Sequence, residues 1–151
     1  MHEIHVEAEQ VVKAPMDKVF SAVTDYEAAP RWSKFYTSVK VMSRNGDQAE
    51  LEVETHIFGA REKGPSTAIA TPPDRVELKG NPKEFVRDAV VTLEPAPEGT
   101  KLTYRADAAL NGVVATIITP FEKHRLESLA RDEVKSLAHY IESLGDAPQH
   151  H

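Results

Sequence analysis

The sequence predicts an α+β fold: a curved, seven-stranded antiparallel sheet wrapped around a long C-terminal helix. Three observations carry this. Residues 112–144 form the longest stretch of helical texture in the chain. From residue 38 to 110 apolar and polar residues alternate with period two, interrupted by turn chemistry. Ahead of that series stand one more alternating run and two short helical patterns, which predicts two short helices between strands 1 and 2.

Within 112–144, apolar residues recur at Val114, Ile117, Ile118 and Phe121, then at Leu126, Leu129, Ala130, Val134, Leu137, Ile141 and Leu144. Both sets follow i, i+3, i+4, i+7 spacing, so each marks one face of a helix. The two sets differ in phase, and Pro120 sits near the shift. A proline inside a helix removes a backbone donor and crowds the preceding turn, which predicts a bend there. Asn111-Gly112 is the opening turn signal and Gly145 a natural C-cap. At 1.5 Å per residue the segment spans roughly 50 Å. That is too long to be enclosed on all sides in a small domain, so the helix needs a broad surface to lie on. The first segment, 113–121, is the part expected to move for ligand entry.

In residues 3–12, Ile4, Val6, Ala8, Gln10 and Val12 share one face, the pattern of a half-buried strand. Ala14-Pro15 ends it, and Pro15 suits the first turn of a helix carrying Met16, Val19, Phe20 and Val23. Asp25 is a good N-cap for a second short helix reaching about Arg31. Val39 and Val41 open the strand series, and Asn45-Gly46 is its strongest hairpin signal. Leu51, Val53, Thr55 and Ile57 share the next face. A fourth strand covers about 60–71, where Gly64-Pro65 predicts a bulge or an early break. Val76 and Leu78 follow the turn Pro72-Pro73-Asp74. Phe85, Arg87, Ala89, Val91 and Leu93 follow Asn81-Pro82. Beyond Glu98-Gly99, the run Leu102, Tyr104, Ala106, Ala108 and Leu110 completes the series. A single domain over 1–145 with a flexible tail at 146–151 is expected.

Composition narrows the function classes. A net charge of −6 and the lack of any basic run argue against nucleic acid or anionic membrane as partner. The absence of cysteine excludes disulfides, thiol nucleophiles and thiolate metal sites. Neither a signal-peptide core nor a membrane-spanning apolar run is present, so a soluble, cytoplasmic protein is expected. The histidines lack HExxH or His-x-His spacing, and no GxSxG elbow occurs, so neither a metal, a cofactor nor a serine nucleophile is expected.

Val12, Ala14-Pro15, Val19-Phe20, Val23, Asp25, Pro30, Trp32, Phe35, Val39 and Val41 resemble the opening motif of the START-like (Bet v 1-like, SRPBCC) superfamily. The branch they resemble most is the polyketide cyclase/dehydrase and lipid-transport group, which includes coenzyme-Q-binding proteins. Gly99-Thr100-x-Leu102-Thr103-Tyr104 is similar to that group's entry into its last strand. The resemblance spans nearly the whole chain and implies the helix-grip fold. It specifies fold better than function, because members bind lipids, quinones, polyketides or hormones, and some are enzymes. In aromatase/cyclases of this kind, inward arginines and tyrosines orient the polyketide. No position here matches such a residue with enough local motif to carry the role over.

Small inward residues (Ala89, Ala106, Ala108) set against large ones (Trp32, Phe85, Tyr104) point to incomplete filling between sheet and helix. An ordinary solid core is the alternative. The ligand-binding candidates are Phe20, Trp32, Phe35, Val53, Ile57, Phe85, Arg87, Val91, Tyr104, Val114, Ile117, Ile118 and Phe121. Arg87 is the most informative polar one: it snorkels to the rim, pairs with an acid, or meets a polar group of a ligand. Trp32 is either an entrance residue that touches ligand or a lid that packs Phe35 and the helix. For Asp25, capping is set against catalysis. Glu122-Lys123-His124-Arg125 reads as a solvated face or a polar pocket rim. Three functions follow: binding or transport of a hydrophobic small molecule, an aldol-type cyclase or dehydratase, and a protein-docking module. The expected partner is a hydrophobic small-molecule ligand, with no catalytic residue assigned and oligomeric state open.

Overall fold

The structure, a computed structural model, describes residues 2–57, 60–80, 86–110 and 122–146. In chain order the elements are β1 (His2–Val12), α1 (Met16–Val23), a 3₁₀ helix (Tyr26–Arg31), β2 (Tyr36–Asn45), β3 (Gln48–Ile57), β4 (Ala60–Thr71), β5 (Arg75–Gly80), β6 (Val86–Ala96), β7 (Gly99–Leu110) and α2 (Glu122–Asp146). The seven strands form one antiparallel sheet in the order β1-β7-β6-β5-β4-β3-β2. This is the helix-grip α+β arrangement: a meander from β2 to β7, with the first strand added beside the last.

Alternation builds the sheet. On β1, Val6, Ala8 and Val12 are buried while Glu7, Glu9 and Val11 face out. The outward charges meet opposite charges across the strands. Arg105 donates to Glu7 at 2.7 Å, and Lys101 reaches Glu9 at 3.0 Å and Glu94 at 3.5 Å. Exposed pairs of this kind stabilise little individually, but they favour the register in which Val6 faces inward.

The β2–β3 hairpin turns at Gly46-Asp47, where Gly46 adopts φ 63°, a left-handed conformation glycine takes freely. Gly99 opens β7 at φ 150° and is packed hard against the end of β1: an added Cβ would lie 2.3 Å from the Val12 carbonyl oxygen. Beside it, the buried Thr100 hydroxyl donates to the Ala14 carbonyl at 2.8 Å. The β6–β7 turn and the β1–α1 link are thereby joined through backbone contact.

Several expectations are corrected. No bulge or break occurs at Pro65: β4 pairs with β3 in unbroken register, with Glu52 opposite Pro65. The described pairing of β4 with β5 runs from Thr71 to Ser66 without a shift, and the position that would face Pro65 on that side lies outside the described residues. Irregularities lie instead in β2, between Tyr36 and Ser38 and between Val41 and Ser43, and in β6, between Val86 and Asp88. Asp25 stands at the N-cap of the 3₁₀ helix but makes no capping hydrogen bond, because its ψ of 75° departs from capping geometry. The C-terminal helix runs past Gly145 to Asp146. The expected helical turns over 112–121, the bend at Pro120 and most of the tail lie outside the described residues.

α2 packs mainly against β1, with a smaller contact to α1. Leu126, Ala130, Val134, Leu137, Ala138 and Ile141 are its buried residues, which agrees with the apolar stripe except at Leu129 and Leu144, exposed by 38% and 44%. Lys13 N–H donates to Glu142 at 2.9 Å, tying the far end of α2 to the end of β1. Two apolar clusters result. One joins β1, α1, Leu93, Leu102 and α2; the other joins the 3₁₀ helix to Val39, Ala49, Leu51, Val53 and Ala68. Trp32 packs against both.

Candidate functional site

Between the two clusters lies a hollow of about 450 Å³. The sheet contributes its inner face: Val6, Val39, Leu51, Val53, Val76, Leu78, Ala89, Val91, Leu102, Tyr104 and Ala106. Ala22, Val23, Tyr26, Ala29, Trp32, Phe35 and Tyr36 close it on one side, and α2 closes it on the other through Leu126, Leu129, Ala130, Val134 and Leu137. The cause of the hollow is legible in the pairing. Ala89 lies opposite Ala106 across β6 and β7, so two methyl groups form the floor where larger side chains would fill the gap. Because α2 rests mainly on β1, it covers the opposite half of the sheet less closely.

Polar groups at the hollow are few. Asp25, Lys34, His56 and Arg125 border it and are exposed, so they form a rim. Leu129 also borders it while 38% exposed, marking a place where hydrocarbon reaches solvent. Half-buried polar residues that border it include Glu133 on α2, Tyr104 on β7, Tyr26 and Tyr36.

Glu133 binds the segment after the 3₁₀ helix. Its Oε2 accepts the Ser33 hydroxyl at 2.5 Å and its Oε1 accepts the Lys34 N–H at 2.8 Å. The Ser33 oxygen in turn accepts the N–H groups of Phe35 and Tyr36, each at 2.9 Å. One turn along α2, the Ser136 hydroxyl donates to the Trp32 carbonyl at 2.6 Å. Residues 32–36 are thus latched to the helix by side chains on a single face. Burial raises the Glu133 pKa, and the bonds from Ser33 and Lys34 oppose that shift.

Part of the Tyr104 surface opens onto the hollow, yet protein encloses the residue. Burial, and secondarily the Glu133 carboxylate, push its phenol far above the ordinary value, so it stays protonated. Among the described residues its hydroxyl has no hydrogen-bond partner. On the opposite flank Tyr26 carries the Arg44 guanidinium 5.6 Å from its ring centre. Burial raises the Tyr26 pKa, with Arg44 working against the shift.

Of the ligand-binding candidates, Trp32, Phe35, Val53, Val91 and Tyr104 border the hollow. Phe20 is half-buried against the main cluster and is not among the lining residues. Val19, Ala22 and Val23 share the inward face of α1, and Phe20 lies about 100° around the helix from Val19. Ile57 and Arg87 lie on β3 and β6, but their side chains fall outside the described structure. A register shift in the β6–β7 pairing lies between Val86 and Asp88, at Arg87. Phe85, Val114, Ile117, Ile118 and Phe121 are outside the described residues. Glu133 was missed, although it carried a signal: it sits four residues after Leu129 and four before Leu137, an acid inside an apolar stripe. Among the described residues no three His, Asp or Glu side chains converge as metal ligands. None of the described helices is long and apolar enough to cross a membrane.

Residues 3–142 match the family model described as polyketide cyclase / dehydrase and lipid transport. No curated protein sequence matches the chain. Among solved structures, the Zhui aromatase/cyclase from Streptomyces sp. R1128 superposes with a TM-score of 0.80 at 16% identity, covering 98% of this chain and 99% of that one. TTHA0849 from Thermus thermophilus gives 0.79 at 16% identity, covering 93% and 98%. A START superfamily protein from Mycobacterium smegmatis gives 0.71 at 20% identity, covering 95% and 99%. At these identities the superpositions speak to fold. The family match spans most of the chain, which therefore belongs to the polyketide cyclase / dehydrase and lipid transport family.

Proposed function

We propose that this family member binds, and in the cell carries, a largely apolar small molecule held between the sheet and α2. The observation that supports this is the hollow itself: about 450 Å³, walled mostly by hydrocarbon and aromatic rings, with Asp25, Lys34, His56 and Arg125 at the rim and Glu133 the deeper charge. Sites for small molecules take this form. Trp32 makes the reading measurable, because it is the single tryptophan and borders the hollow. Menadione, a small quinone, is expected to quench its emission saturably at one equivalent. Mass spectrometry after denaturing extraction is expected to find an apolar molecule co-purified with the protein. If the extract holds none, and neither menadione nor the neutral fluorophore N-phenyl-1-naphthylamine binds, the reading fails.

A second reading, a cyclase or dehydratase acting on a poly-ketone, is favoured by the unpaired Tyr104 hydroxyl at the hollow. Such chemistry also needs a base beside the substrate. Both Glu133 oxygens already accept hydrogen bonds from Ser33 and Lys34, while Asp25 and His56 stand at the exposed rim. The inner surface is better furnished for holding a carbonyl than for removing a proton. A docking module would be favoured by a solid core, and the hollow does not supply that support.

A further inference from the structure

We propose that the seam between residues 32–35 and α2 is the door of the hollow, held shut by Glu133 and Ser136 and opened to admit and release ligand. This rests on the ligand-binding reading above and adds to it the route and its control. Trp32, Lys34 and Phe35 border the hollow from one side of the seam, and Leu129 and Glu133 border it from the other. Parting the two sides therefore exposes the interior directly. The other walls are closed differently. The sheet is a continuous ladder from β1 to β2. Val12 and Ile141 seal α2 to β1, and Val19 seals α1, each of them exposed by 2% or less. No residue from 32 to 35 is buried in that way: Trp32, Ser33 and Phe35 are half-buried and Lys34 is exposed. Buried Ala29 and Val39 anchor the chain on either side of the segment. Before the second anchor, β2 is irregular between Tyr36 and Ser38, which provides a pivot.

The hydrogen bonds divide into those that travel with the segment and those that cross the seam. The N–H groups of Trp32 and Ser33 donate to the Ala29 carbonyl. Those of Phe35 and Tyr36 donate to the Ser33 hydroxyl oxygen. These bonds survive a swing about residues 29 and 36. For residues 32–35, the bonds that cross to α2 are those from the Ser33 hydroxyl and the Lys34 N–H to Glu133, and from the Ser136 hydroxyl to the Trp32 carbonyl. Ser33 thus serves both sides: its oxygen holds the shape of the segment, and its proton holds the door. Trp32 packs on both apolar clusters, and withdrawing its ring sets much of the cost of opening. Opening also returns the Glu133 carboxylate to water, which recovers its burial penalty and offsets part of the lost bonding. Local openings of this kind require less free energy than global unfolding.

Stopped-flow mixing of the full chain with N-phenyl-1-naphthylamine gives association and dissociation rates separately. A door multiplies both rates by one opening equilibrium, so loosening it speeds both and leaves Kd nearly unchanged. Ser136→Ala is expected to raise each rate about two- to tenfold, the worth of one neutral hydrogen bond. Glu133→Gln loses a charged acceptor and should raise both rates further. Ser143→Ala is the control, because its hydroxyl bonds the Tyr140 carbonyl within α2, and both rates should stay as in the wild type. In the wild type without any ligand, the Lys34 amide should exchange with deuterium faster than that of Val53 in β3, through an opening that depends little on denaturant. This check holds even if a variant folds poorly. Unchanged rates in both door variants, a weakened Kd at an unchanged association rate, or equal acceleration in Ser143→Ala would make the segment a fixed wall and overturn the proposal. So would Lys34 exchange that occurs only with global unfolding. Failure of N-phenyl-1-naphthylamine to bind the wild type would remove the ligand-binding reading and the purpose of the door with it, while Lys34 exchange would still report whether the seam opens.

Discussion

The two ends of the sheet are held in different ways. At the β1–β7 end, α2 lies directly on the strands, and Val12, Val19, Leu102 and Ile141 are almost wholly buried between them. At the β2–β4 end the cover is the 3₁₀ helix, and the apolar cluster beneath it is built from Ala29, Val39, Ala49, Leu51, Val53 and Ala68. The first end is packed; the second is smaller, rich in alanine and opens onto the hollow. What joins them is a latch of side-chain hydrogen bonds from Glu133 and Ser136 to residues 32–34. The contrast teaches how a chain of this size keeps an empty volume. It concentrates stabilising burial at one end and lets the other end be positioned by polar bonds.

The largest expected effect tests that division on one helix. Ile141→Ala should cost about 2–5 kcal/mol in denaturant unfolding, as for other enclosed aliphatic truncations. Leu129→Ala, at the edge of the hollow, should cost less than about 1 kcal/mol. Equal losses would mean that both ends are packed alike. Next come the two glycines. Gly99→Ala forces a methyl group into the β1 backbone and should cost about 1–3 kcal/mol or somewhat more. Gly46→Ala meets no atom within 4 Å and carries only the left-handed backbone penalty of about 1 kcal/mol. A Gly46 loss equal to that of Gly99 would show that the β2 end is as tightly built as the β1 end.

The smallest effect concerns the latch and is best read as a pH profile. Burial places the folded-state pKa of Glu133 above its ordinary value of 4.5. The folded chain therefore binds this proton more tightly than the unfolded chain does. Through this group, stability rises as pH falls from above the raised pKa towards 4.5, and the ionised form carries the burial penalty at neutral pH. Glu133→Gln removes that titration. Relative to the variant, the wild type should gain thermal stability on acidification from pH 7 to about 5. A gain of opposite sign would show that the hydrogen bonds from Ser33 and Lys34 outweigh burial.

Much of the fold could be read from residue order because period-two alternation is a local signal. Val6, Ala8 and Val12 faced inward as expected, and the β2–β3 hairpin formed at Asn45-Gly46 with its tight turn one residue later, at Gly46-Asp47. Pro65 misled because a proline's effect depends on how the neighbouring strand meets it, and the unbroken register with β3 is a tertiary fact. Phe20 misled in a similar way: the sequence marks α1 as amphipathic, but which flank meets the hollow depends on how α1 tilts on β6, β7 and α2. The hollow was half legible, in the alanines at 89 and 106. The latch was not sought, although an acid at 133 within an apolar stripe announces a buried partner. That partner, Ser33, lies a hundred residues away, and no local pattern could have named it.

The outer strand β2 carries one more consequence. Among the described strands it pairs with β3 alone, so its other side is an edge of the sheet. Edges of that kind recruit strands from other molecules and seed cross-β stacking. Here the Val41 N–H is already taken by the Glu27 carboxylate at 2.9 Å, and the strand is irregular on either side of that residue. Exposed Lys40 and Arg44 add charge along the same strand. The segment that roofs the hollow thus also blunts the edge beside it: the short 3₁₀ helix that covers that space engages a backbone donor that a strand from another molecule would need.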